Sequence, residues 1–258
     1  MDPIFLYLVG TAGSGKSTLT GALQEWMTTQ GYEAITVNLD PGAEELPYQP
    51  DIDIRDHVNL ADVMEQYGLG PNGAQVAAAD LVALNIDPVK EAVQEMTEGF
   101  VLIDTPGQIE LFTFRQSTKQ IISSLSPDRS AILFLFDPFL SATPNGFITL
   151  QMLYATTRFR FDLPMTGALT KMDLLEDDKM SEILSWINHP DILYDMALNE
   201  NPSMEREMGI SVFRMLEDLS ASGSLMPVCS ADGYGMPDIY NYLQQLFAGG
   251  EDVETGFR

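Results

Sequence analysis

The run Gly10-Thr11-Ala12-Gly13-Ser14-Gly15-Lys16-Ser17 has the spacing G-x-x-x-x-G-K-S/T. Residues of these types in this order can hold phosphate. The glycines let successive backbone N–H groups converge on phosphate oxygens, and a helix starting at Lys16 adds the positive end of its dipole. Lys16 can reach the terminal phosphates, and the Ser17 hydroxyl can ligate Mg²⁺. Such a match arises by chance in about one per cent of chains this long, so nucleoside triphosphate binding outweighs a plain glycine-rich turn. Gly10, Gly13, Ser14, Gly15, Lys16, Ser17 and Thr18 are therefore the candidate phosphate contacts.

A second set of candidates stands in "DTPGQIE", Asp104 to Glu110. The pattern D-x-x-G occurs about once by chance in a chain of this size, so its weight comes from position. An Asp ending a buried strand lies where open α/β sheets bind ligands, and Asp104 can orient Mg²⁺ or its water. Gly107 offers a backbone N–H to a γ-phosphate. Gln108 and Glu110 are candidates to position an attacking water, and they also read as ordinary polar residues at a helix start. Asp40 in "NLDPG" ends another strand and is either catalytic or part of an Asp-Pro-Gly turn; Asp137 in "FDPF" reads as a turn.

For the base, "TKMD" at 170–173 has the form of a guanine signature in which Asn is commoner than Thr at the first position. The Asp173 carboxylate can accept from both N1–H and the exocyclic amine of guanine, whereas adenine would leave a buried anion half-satisfied. The Lys171 stem can pack on the purine face. In "CSADG", Ser230 and Ala231 fit the remaining base loop, with the Ala231 N–H expected at O6 and Cys229 expected as a small core residue. The stretch "LGPNGAQ" at 69–75 reads as a turn that breaks one helix and lets another begin. A second Pro-Asn-Gly at 144–146 shows that the tripeptide alone proves nothing.

These residues need a scaffold, and the hydrophobic pattern supplies one. Apolar runs at 4–10, 33–40, 99–105, 130–137, 165–171 and 225–231 alternate with longer amphipathic stretches. That is the pattern of an α/β fold, a mostly parallel central sheet with helices on both faces. Two connections are long: 41–98, carrying Gly70-Pro71-Asn72, and 174–224, which reads as two or three helices. No internal repeat or low-complexity linker appears, so a single domain is expected over 1–250, with a polar tail at 251–258.

Composition narrows the class. With 258 residues, 45% of them hydrophobic, the chain can bury a substantial core. One cysteine and two histidines, His57 and His189, argue against a disulfide and a Cys/His zinc site, leaving Mg²⁺ on oxygen ligands as the expected metal. No apolar run spans a bilayer, and "PIFLYLVG" follows no basic leader, so a cytoplasmic protein is expected. A net charge of −25 disfavours direct binding to nucleic acid or anionic lipid, and the low lysine content fits a salt-rich cytosol.

The ordered set of phosphate loop, "NLDPG", "DIDIRDHVNLADVMEQYGLGPNG", "DTPGQIE", "TKMDLL" and "CSADGYGM" resembles the GPN-loop GTPases over nearly the whole chain. The resemblance implies a P-loop fold of the signal-recognition-particle-like branch and a Mg²⁺-dependent GTPase working as a constitutive homodimer. It implies that Gly70, Pro71 and Asn72 enter the partner's site, with the Asn72 amide as a neutral donor where other GTPases use an arginine finger. Lys16, Ser17, Asp40, Asp104 and Gln108 match family positions around phosphate, Mg²⁺ and water. Eukaryotic relatives act in RNA polymerase assembly and nuclear import, so a protein client and a switch or assembly role are implied. Ala74-Gln75 stand where Gly-Leu is common, and Pro138 where Ser is common. Two other readings are a nucleotide-gated assembly chaperone that uses hydrolysis as a timer, and an ATP-dependent small-molecule kinase, against which "TKMD" argues.

Overall fold

All seven residues of β1 (Ile4–Gly10) are buried, as an apolar strand covered on both faces must be. A computed structural model describes residues 2–96, 98–125, 128–218 and 225–247; the expected tail at 251–258 lies outside them. The other strands are β2 (Ala34–Asn38), β3 (Ile52–Asp53), β4 (Phe100–Asp104), β5 (Ser130–Phe136), β6 (Met165–Leu169) and β7 (Leu225–Pro227). They form one seven-stranded sheet in the order β3-β2-β4-β1-β5-β6-β7. Every pairing is parallel. Registers Leu8↔Asp104 and Asn38↔Asp104 bring the carboxyl ends of β1, β2 and β4 level. The phosphate loop, Asp40 and Asp104 therefore share one sheet edge.

The helices are α1 (Lys16–Thr29), α2 (Leu60–Tyr67), α3 (Pro71–Leu84), α4 (Asp87–Gln94), α5 (Ile109–Thr113), α6 (Gln116–Leu125), α7 (Pro138–Ser141), α8 (Pro144–Phe161), α9 (Asp177–Asn188), α10 (Pro190–Asn199), α11 (Met204–Asp218) and α12 (Met236–Phe247). Alternation along β1 decides which of them cover each face. Ile4, Leu6 and Leu8 pack with Leu19, Leu23 and Met27 of α1 and with Ile239 and Leu243 of α12. Phe5, Tyr7 and Val9 join the larger cluster, which includes Ala78 of α3, Val89 of α4, Phe147 of α8, Trp186 of α9 and Phe213 of α11.

The connection 41–98 contains β3, the single-turn helix Ile54–Asp56 and α2 to α4; 174–224 contains α9, α10 and α11. β3 has no counterpart among the expected strands, since two residues carry no alternation. Polar groups make it instead: the Asp51 carboxylate accepts from Thr36 N at 2.8 Å, and Asn38 Nδ2 donates to Asp53 Oδ1 at 2.9 Å.

Both Pro-Asn-Gly tripeptides open helices, with proline in the first turn where its missing N–H costs nothing. The helix break before the first one belongs to Gly68, which closes α2 at φ 61°.

Candidate nucleotide site

Gly15 precedes α1 with φ 94°, a conformation that glycine adopts without strain, and this turn delivers Lys16 into the loop. The buried Lys16 ammonium donates to the carbonyls of Gly10 at 3.0 Å, Thr11 at 2.9 Å and Gly107 at 3.0 Å. Burial pushes its pKa down to about 8 against the pull of Asp104 and Asp40, so a phosphate oxygen beside Nζ would offset a real desolvation cost. Ser14 is buried, and its hydroxyl oxygen has no hydrogen-bond partner; Ser17 is partly buried and Thr18 exposed.

Asp104 ends β4 only 1% exposed. Burial pushes its carboxyl up to about 6, opposed by the Ser17 hydroxyl, Lys16 and the Tyr48 hydroxyl. Its Oδ2 accepts from Tyr48 Oη at 3.2 Å, while Oδ1 is buried without a partner. A buried carboxylate oxygen beside a serine hydroxyl fits a hard cation that completes its shell with phosphate oxygens and water. Among the described residues no group of three or more His, Cys, Asp or Glu could hold a metal alone.

Asp40 binds both neighbouring turns: Oδ1 accepts from Gly42 N at 2.9 Å and Oδ2 from Gly107 N at 2.9 Å. The Gly107 N–H, expected to face a γ-phosphate, thus donates to Asp40 in this structure. Gln108 caps α5 without a side-chain hydrogen bond, and both it and Glu110 are exposed at the start of that helix.

The loop after β6 is fastened to the phosphate loop. Thr170 Oγ1 donates to Ser14 O at 2.7 Å, and Lys171 Nζ donates to Gly13 O. Lys171 holds φ 53°, unusual for a residue with a side chain, and also meets Asp137 Oδ2 at 3.3 Å. Asp137 is the turn residue expected, capping α7 through Phe139 N and Leu140 N, with the further contact to Lys171 that its sequence setting did not show. A cavity lined by Met172, Asp173, Met180, Leu184, Cys229 and Tyr234 adjoins this loop, with a volume of about 330 Å³.

Cys229 is buried, but its Sγ donates to Asp173 Oδ1 at 3.4 Å, so it does more than fill the core. Burial pushes the thiol pKa up, which keeps the donor proton in place. Just after Cys229 in the chain, Ser230 is partly buried and Ala231 is exposed.

Gly70, Pro71 and Asn72 stand apart, exposed at the start of α3, and no hydrogen bond among the described residues joins them to the phosphate loop. Sequence reasoning missed Tyr48 and the tether from Thr170. The signal for Tyr48 in the sequence was Gly21, a glycine inside α1 that packs against its ring.

A parallel sheet with a phosphate loop after β1, an acidic residue ending β4 and a base loop tied to the phosphate loop defines a P-loop nucleotide-binding protein. The family model described as "conserved hypothetical ATP binding protein" matches residues 8–249. GPN-loop GTPase 1 of Dictyostelium discoideum is 32% identical over 246 residues, covering 94% of this chain but 61% of that protein's length. A GPN-loop GTPase of Pyrococcus abyssi is 31% identical over 218 residues, covering 84% of this chain and 86% of that protein. The crystal structure of a GTPase in apo form from Pyrococcus abyssi superposes with TM-score 0.83 at 28% identity, covering 95% of this chain and 97% of that one. This chain belongs to the GPN-loop GTPase family.

Proposed function

We propose that this protein binds GTP with Mg²⁺ and hydrolyses it to GDP and phosphate, as a homodimer in which each Gly70-Pro71-Asn72 loop serves the partner's site. The observation that carries the reading is the fastening of the base loop to the phosphate loop through Thr170 and Lys171. It sets one ligand's base and phosphates at a fixed separation, and Asp173 gives the base end its guanine chemistry. The family model's description names ATP, whereas the relatives are named GTPases; the acceptor pair on Asp173 supports the second.

Lys16 and the backbone N–H groups of residues 13–18 hold the β- and γ-phosphates. Ser17 and Asp104 would hold the cation, which neutralises charge developing on the phosphates. Asp40, Gln108 or both orient the water; for Gly107 N–H to turn to the γ-phosphate, its bond to Asp40 must open, which couples nucleotide binding to that loop. Such a site also suits a switch or assembly factor acting on a protein client.

Phosphate release tests the reading. Wild type should release phosphate from GTP and not from ATP, and only with Mg²⁺, whereas Lys16→Ala should release none. Sedimentation should give a dimer. In a mixture, Asn72→Ala and Lys16→Ala subunits should regain part of the activity each lacks, since a hybrid dimer holds one intact composite site. Equal turnover of ATP and GTP would refute the base assignment, and a monomer that is fully active would refute the shared site.

A further inference from the structure

Gly21 lies inside α1, where alanine would be the better helix former by about 1 kcal/mol, so its place calls for a packing reason. Tyr48 provides it. A Cβ on Gly21 would sit 2.7 Å from Tyr48 Cβ and 3.3 Å from its Cγ, closer than side chains approach, so only glycine lets the tyrosine lie against the helix. From there the Tyr48 hydroxyl donates to Asp104 Oδ2 at 3.2 Å. Asp104 is 1% exposed and its Oδ1 is buried with no partner. One carboxylate oxygen is therefore occupied by a phenol and the other is left over.

The segment that carries Tyr48 is pinned at both ends. Arg55 Nη1 donates to Ala43 O at 2.8 Å while its Nη2 meets Asp53 Oδ2 at 2.6 Å. Beyond Tyr48, the Asp51 carboxylate accepts from Thr36 N at 2.8 Å and Thr36 Oγ1 at 3.0 Å. The phenol is thus delivered by a fixed loop, not by a free side chain.

We infer that Tyr48 is a positioning residue for the divalent cation: its hydroxyl fixes the rotation of the Asp104 carboxylate and leaves Oδ1 as the oxygen for the cation or its water. The identity of the cation rests on the proposed function; the Tyr48–Asp104–Gly21 arrangement does not. A residue that orients a ligand through one hydrogen bond contributes to metal affinity without touching the metal.

Mn²⁺ serves as the probe, because the resonance signal of the free ion disappears on binding. Wild type, Tyr48→Phe and Gly21→Ala would be titrated with Mn²⁺ in the presence of a slowly hydrolysed GTP analogue. Both variants should bind Mn²⁺ about tenfold more weakly, the lower scale for losing such a partner. Analogue affinity in EDTA and the unfolding temperature of Tyr48→Phe, which keeps the ring and loses one oxygen, should match wild type. Equal Mn²⁺ affinity in wild type and Tyr48→Phe overturns the inference. A loss confined to Gly21→Ala also overturns it, because the hydroxyl would then be irrelevant. Failure of the proposed function reads differently: wild type itself would show no nucleotide-dependent Mn²⁺ binding, and the inference would fall with it.

Discussion

Asn145 Nδ2 donates to Glu200 Oε2 at 2.7 Å, while Asn72, in the same Pro-Asn-Gly setting, is exposed. The first asparagine holds α8 to the end of α10; the second is free to meet another molecule. On the proposed function, Asn72→Ala keeps GTP affinity and loses on the order of 10²-fold in turnover, the scale for one preorganised donor. Asn145→Ala leaves turnover alone and costs about 1 kcal/mol of stability, measured by denaturant unfolding. At the base, Cys229→Ala removes the donor to Asp173 and should weaken GTP binding about fivefold, with Cys229→Ser restoring it. The placement of Lys16 at the start of α1, Asp104 at the end of β4 and Asp173 just after β6 could be read from residue types and spacing, because each sits in a short motif at the end of an apolar run. The Cys229 and Tyr48 hydrogen bonds were not legible, since each reaches a partner 56 residues away in sequence.

α3 begins at the Gly-Pro-Asn loop and is tied near its middle. Asp80 accepts from Arg115 Nε at 3.1 Å and from Ser117 Oγ at 2.9 Å, both at the junction of α5 and α6 just after Gln108. One carboxylate thus joins α3, which starts at the Gly-Pro-Asn loop, to the segment that follows α5. With side chains 29% and 49% exposed, the ion pair itself contributes only about 0.5 kcal/mol. Asp80→Ala also removes the bond from the buried Ser117, so it should lower the unfolding temperature by about 3 to 6 °C while hydrogen exchange in the amides of α3 speeds up. The six longer strands were legible as apolar runs because the sheet is covered on both faces. β3 was not, being two residues held by the side chains of Asp51 and Asn38. The stretch at 69–75, read as a turn that breaks one helix and lets another begin, does open α3 at Pro71, while the break itself is made just before that stretch by Gly68, which pattern alone did not show.

Across the whole molecule, 38 acidic residues face 13 basic ones, for a net charge of −25. Self-repulsion of that size destabilises the folded state at low ionic strength and is screened by salt. The unfolding temperature should rise from low to molar KCl; no rise would refute the salt-rich setting that the composition suggests. No helix among the described residues is long and apolar enough to cross a membrane. How two copies would meet was not legible in one chain's residues, because an interface is a property of a pair of surfaces.

The central claim is that one guanine nucleotide spans the phosphate loop and Asp173, and nucleotide competition on wild type and Asp173→Asn tests it most directly. Wild type should bind GTP in preference to both ATP and XTP. Asp173→Asn, whose amide offers a donor where the carboxylate accepted, should prefer XTP, which carries a carbonyl where guanine has its amine. ATP bound as tightly as GTP by wild type, or an unchanged base preference in Asp173→Asn, would contradict the account.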